Sequence, residues 1–158
     1  MKLSIRKGFS YGLTSGIITT LGLMVGLNSG TGSKAVVLGG ILTIAVADSL
    51  SDALGIHISE ESENHHSSKE IWEATVSTFL SKFVFALIFV IPVLLFSLTT
   101  AVITSIAIGL LLLALLSCKM AKDQKINPAR VIFEHLLIAV IVVILSYMIG
   151  NFISSVFS

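Results

Sequence analysis

Charge is what this chain has least of. Only 12% of its 158 residues are Asp, Glu, Lys or Arg, where a soluble domain carries roughly 25%. With 54% of the residues hydrophobic, there is too little polar surface to cover a water-soluble particle of this size. The net charge is +1, and no basic stripe interleaved with aromatics occurs, which excludes nucleic acid as an expected partner. A single cysteine, Cys118, excludes an intramolecular disulfide; its place at the end of an apolar run reads as packing. Segments of alternating polarity are missing too, and with them a strand barrel. No catalytic constellation and no organic cofactor motif stands out, so the chain is not expected to be an enzyme.

What is present is a series of long apolar runs. A membrane span needs about 20 mostly apolar residues. The runs give spans at about 8–28, 35–57, 75–96, 98–118 and 130–153, an all-α membrane protein of five transmembrane helices in one domain, residues 1–158. "NSGTGSK" separates the first two spans with turn residues. Between Thr75 and Cys118 the only charge is Lys82, and about 44 residues there accommodate two spans with a turn near "FSLTT". The N-terminal "MKLSIRKGFSYGLTSGIITTLGLMVGL" opens like a signal peptide, but its apolar part is long and rich in Gly and Thr, so it is read as a mature span.

The cations orient these spans. Lys2, Arg6, Lys7, Lys69, Lys82, Lys119, Lys122, Lys125 and Arg130 fall on one side and only Lys34 on the other. The positive-inside rule then places the N-terminus in the cytoplasm and the C-terminus outside. Lys82, slightly within span 3, is expected to snorkel to the cytoplasmic surface. Gly8, Gly12 and Gly16 recur every fourth residue, and Gly22 and Gly26 continue the theme after a shift. Such a stripe predicts close approach of another helix, from this chain or a second copy.

The conspicuous polar groups lie in "AVADSLSDALGIHIS". Asp48 and Asp52 share one helix face, with Asp48 about 13 Å from the cytoplasmic end of span 2. A carboxylate near the bilayer centre costs at least about 2.5–3.5 kcal/mol, so such groups face protein or a water-filled cavity. Two readings follow: an ion site that exchanges protons for a cation, or a structural pair satisfied by hydroxyls such as Ser10, Tyr11 and Thr14. The segment between spans 2 and 3 carries His57, Glu60, Glu61, Glu63, His65, His66, Glu70 and Glu73. Oxygen and imidazole ligands suit Fe2+, Mn2+ or Zn2+, so this segment is a candidate metal-capture loop, against a solvated loop as the plain alternative. Arg130 and Glu134 are spaced as an i, i+4 ion pair.

"YGLTSGIITTLGLMVGL" followed by "AVADSLSDALGIHISEES" resembles the vacuolar iron transporter family, whose members carry D-G-L-T in span 1 and A-G-A-x-S-M-A-x-G-E-Y-V-S at the end of span 2. "ALIFVIPVLLF" and "VIFEHLLIAVIVVILSYMIGNFI" look like that family's spans 3 and 5. The resemblance implies a homodimeric carrier moving Fe2+ or Mn2+ out of the cytoplasm against protons, in the cell membrane of a prokaryote, with the divalent ion as substrate. It implies a path along the dimer interface lined by spans 1 and 2, here Asp48, Asp52, Tyr11, Thr14 and Met24. The chain departs from the pattern at four positions. Tyr11 stands at the family's span-1 aspartate, Asp52 at its methionine, Ile56 at its glutamate and His57 at its tyrosine. The long metal-binding insertion between spans 2 and 3 is reduced to about 17 residues. A carrier of another solute, or a non-transporting structural or regulatory membrane protein, are the rival expectations.

Overall fold

A computed structural model of the chain describes residues 2–63 and 65–157. The described residues form helices and turns without a strand. The helices are α1 (Leu3–Thr31), α2 (Lys34–Ser62), α3 (Ser68–Ile88), α4 (Val90–Leu95), α5 (Leu98–Asp123) and α6 (Pro128–Phe157). Five candidate spans are long and apolar enough to cross a membrane, with α3 and α4 together counting as one. The expected spans are all present, each longer than its apolar window.

The helix ends follow local chemistry. Gly32, at φ +59°, takes the left-handed conformation that closes α1. Ser67 and Glu70 form a reciprocal capping box that starts α3. Pro92 has no N–H and its ring crowds the carbonyl four residues back, which is Ile88, and α3 ends there. The chain turns at Phe89, whose N–H reaches Ala86 O at 3.3 Å, and continues as α4. Asn127 Oδ1 accepts from the Ala129 N–H at 3.0 Å, and Pro128 opens α6 in the position that tolerates it.

The residues group into two compact units. The first takes the chain up to Thr20 together with Ile41–Val90. Here Gly8, Gly12 and Gly16 of α1 lie against Ala74, Thr78, Ser81 and Lys82 of α3, so close that a Cβ on Gly12 would strike the Thr78 carbonyl. The partner of this glycine stripe is therefore α3 of the same chain. The second unit takes Leu21–Gly40 and Ile91–Ser158. In it α5 packs along α6, and Gly22, Gly26 and Gly30 of α1 face Val142, Ser146 and Gly150 of α6. Lys34 donates to the Phe96 carbonyl at 3.0 Å, near the C-terminal end of α4; helix ends leave such carbonyls unpaired. Most of α6 is exposed apolar surface, including Ile138, Ile141, Leu145, Met148 and Phe152, as suits a lipid-facing helix.

Candidate functional site: a lysine between two aspartates

The first unit holds a charge cluster in the middle of its helices. Asp48 and Asp52 stand one turn apart on α2, and Lys82 of α3 points between them. Its Nζ lies 2.5 Å from Asp48 Oδ2 and 2.5 Å from Asp52 Oδ2. The same Nζ donates to Ser15 Oγ of α1 at 3.0 Å, and Ser15 Oγ donates to Asp52 Oδ2 at 2.7 Å. Three helices thus meet at one ammonium. Gly16 makes room for it: a Cβ there would sit 3.0–3.3 Å from the backbone and Cγ of Lys82.

Burial is uneven across the cluster. The Lys82 side chain is 2% exposed, whereas Asp48 keeps 28% and Asp52 18%. The two carboxylates also differ in how they are held. Asp52 Oδ2 accepts hydrogen bonds from both Lys82 and Ser15. Asp48 Oδ2 is buried without an aligned hydrogen bond and meets the ammonium through charge alone. An unpaired lysine or carboxylate at this depth would carry a heavy desolvation cost; together the groups carry one net negative charge and offset most of it.

Two expectations are corrected here. Lys82 does not snorkel. α3 begins at Ser68 rather than at the edge of the apolar run, so Lys82 lies about 21 Å along the helix, beyond the reach of a side chain to the helix start. The hydroxyl that donates to Asp52 is Ser15, not Ser10, Tyr11 or Thr14, and Asp48 Oδ2 receives none. Of the other expected path residues, Tyr11 is 44% exposed, Thr14 is half-buried, and Met24 is fully buried in the second unit. The signal for the cluster was in the sequence: one cation in a long uncharged run and two carboxylates in another call for each other.

The candidate metal loop is mostly helix, because α2 runs on to Ser62 and α3 starts at Ser68. His57 Nδ1 pairs with Thr75 Oγ1 at 3.0 Å and its ring meets Trp72 edge-on. Glu60 is buried and ion-paired with Lys7, with His66 Nε2 3.5 Å away. Glu63 lies 3.2 Å from His66 Nε2. Glu70 is engaged in the cap of α3, Glu73 binds Lys2 and Ser4, and Glu61 and His65 are exposed. Among the described residues no three His, Cys, Asp or Glu side chains are grouped to hold a metal ion. Glu60 ties the start of α1 to the end of α2 through Lys7, and Glu73 ties it to α3 through Lys2 and Ser4. In the second unit Arg130 and Glu134 form the expected i, i+4 pair at 2.8 Å, and His135 Nδ1 shares a hydrogen bond with Ser117 Oγ at 2.7 Å.

These features define a helical protein with five membrane-length apolar helices and a buried charge cluster in its first unit. No protein-family model matches the chain, and a search of curated proteins finds no match.

Proposed function

We propose that the protein is a carrier for a divalent cation, Fe2+ or Mn2+, of the vacuolar-iron-transporter type, working as a homodimer with its N-terminus in the cytoplasm and exporting the ion in exchange for protons. The observation that carries this reading is the convergence of two partly exposed carboxylates on one positive charge, within helices long enough to span a bilayer. Carboxylate oxygens suit hard divalent ions, and an intramembrane ionisable cluster is costly enough to imply use. The skew of cations to one side of the spans supports the orientation. On the flank of α2 next to the two aspartates, the small residues Ala47, Ser51 and Gly55 are exposed on successive turns. A second copy packed there by a two-fold axis would cover the half-open carboxylates better than lipid does and would set two from each copy around one path.

The near-complete burial of Lys82 favours a second reading, in which the cluster is only a clasp between α1, α2 and α3. Flux of Mn2+ and Fe2+ into proteoliposomes, with and without a pH gradient, separates the two. Asp48→Asn and Asp52→Asn are expected to fold and to lose flux at least about tenfold, because an amide keeps the shape but holds neither charge nor an exchangeable carboxyl proton. Parent-like flux in both variants would leave the clasp.

A further inference from the structure

We infer that Lys82 is a resident counter-cation: its ammonium competes with the transported ion for the seat between Asp48 and Asp52 and so restricts the seat to divalent ions. The inference deepens the carrier reading above and rests on it. It starts from the fact that the seat is already filled. Nζ lies 2.5 Å from an oxygen of each carboxylate and 3.0 Å from Ser15 Oγ. A metal ion seated between the same two Oδ2 atoms would lie against the positive charge of the ammonium, so for that pair of oxygens one cation leaves before the other enters. The flexible four-carbon stem of lysine permits withdrawal, and Asp48 Oδ2, bound by charge without an aligned hydrogen bond, is the easier oxygen to give up. The more open carboxylate faces give an incoming ion its approach while the lysine holds the buried side.

Competition sets selectivity. A monovalent ion would replace one positive charge by one and would gain nothing for displacing a tethered rival whose effective concentration is high. A divalent ion neutralises both carboxylates and offsets the displacement. The same lysine sets what the unloaded carrier looks like. With Lys82 in the seat the cluster carries one negative charge; without it two carboxylates would face a low-dielectric surrounding, and the return of the unloaded carrier would slow.

The test compares the parent with Lys82→Met, which keeps the stem and removes the charge, and with Lys82→Gln, which keeps donors if the first variant fails to fold. Both are purified, checked for thermal stability, and titrated with Mn2+ by calorimetry in the absence and presence of Na+. The variants are expected to bind Mn2+ at least about tenfold more tightly than the parent once the tethered rival is gone, and Na+ is expected to weaken Mn2+ binding in them and not in the parent. In proteoliposomes the ratio of Mn2+ exchange to net Mn2+ flux is expected to rise at least about tenfold. A lysine that merely held helices together would lower stability and leave binding equal or weaker. Unchanged or weaker Mn2+ affinity in the variants, beside a parent that moves Mn2+, overturns the competition alone. A parent and variants that neither bind nor move Mn2+ or Fe2+ overturn the carrier reading itself.

Discussion

Gly8, Gly12 and Gly16 on α1 face α3, whereas Gly22, Gly26 and Gly30 on the same helix face α6, and the two contacts differ in which helix supplies the room. In the first unit it is α1: a Cβ on Gly8 or Gly12 would meet the carbonyl of Ala74 or Thr78. In the second unit α6 supplies it against the α1 backbone at Gly150, and α1 supplies it only at Gly22, where a Cβ would meet the Val142 side chain at 2.8 Å. A Cβ on Gly150 would strike Ser29 and the Gly26 carbonyl, while one on Gly26 would find Ser146 O at 3.5 Å, an ordinary contact. The chemistry differs in parallel. The α1–α3 seam is polar, with Thr78, Ser81 and Lys82 buried along it and Ser15 reaching over to Asp52. Its close approach is what lets Lys82 pass Gly16 and meet carboxylates on α2. The α1–α6 contact carries no buried charge. Glycines at a four-residue spacing thus accompany a buried charge cluster in one unit and plain helix packing in the other.

The sharpest break of this comparison is Gly12→Leu. The side chain would have to displace the α3 backbone at Thr78 and the Ser81 hydroxyl, and overpacking of a tight seam costs about 1–3 kcal/mol or more. Because α3 carries Lys82, the displacement also pulls the ammonium from its seat. The expected outcome is a large fall in melting temperature in detergent together with loss of Mn2+ flux; a variant as stable and as active as the parent would detach the glycine stripe from the cluster.

Gly150→Ala tests the other side of the comparison. The added methyl group meets the α1 backbone at Gly26 and Gly30, and a loss of about 1–2 kcal/mol is expected from the strain. No charge sits at this contact, so Mn2+ affinity measured on the folded fraction should match the parent. An affinity that fell with stability would mean that the seat depends on the α1–α6 contact as well.

How much of this was legible in the sequence follows the same division. Five spans could be counted because apolar length is set by bilayer thickness and needs no tertiary information. Their ends were read short, since a helix backbone keeps its hydrogen bonds past the apolar window, as α2 does through "SEES" to Ser62. Pro92 and the Ser67–Glu70 box mark boundaries that are visible in one dimension. The face shared by Asp48 and Asp52 was legible from helical period. The hydroxyl partner of Asp52, Ser15, was not: which turn of α1 lies beside Asp52 depends on how two antiparallel helices slide, and period alone gives no register. Lys82 was misplaced for a related reason, because its depth was measured from the apolar run and not from the true start of α3. The direction of the glycine stripes was likewise open, since small residues say that something comes close but not what.

Gly26→Ala is the smallest expected effect and the finest test. The sequence places Gly26 in a four-residue rhythm with Gly22 and Gly30, spaced like Gly8, Gly12 and Gly16, and on that ground alone alanine should damage the fold. The geometry says otherwise. The new methyl group would lie 3.5 Å from Ser146 O and 3.8 Å from Ser146 Cβ, in space that already exists. Glycine in a helix interior carries an entropic penalty that alanine removes, up to about 1 kcal/mol. Gly26→Ala should therefore melt at or slightly above the parent temperature and keep parent Mn2+ affinity. A clear loss of stability would mean that α1 and α6 approach more closely than the distance at Gly26 allows, and that both units rely on the glycines of α1 alike.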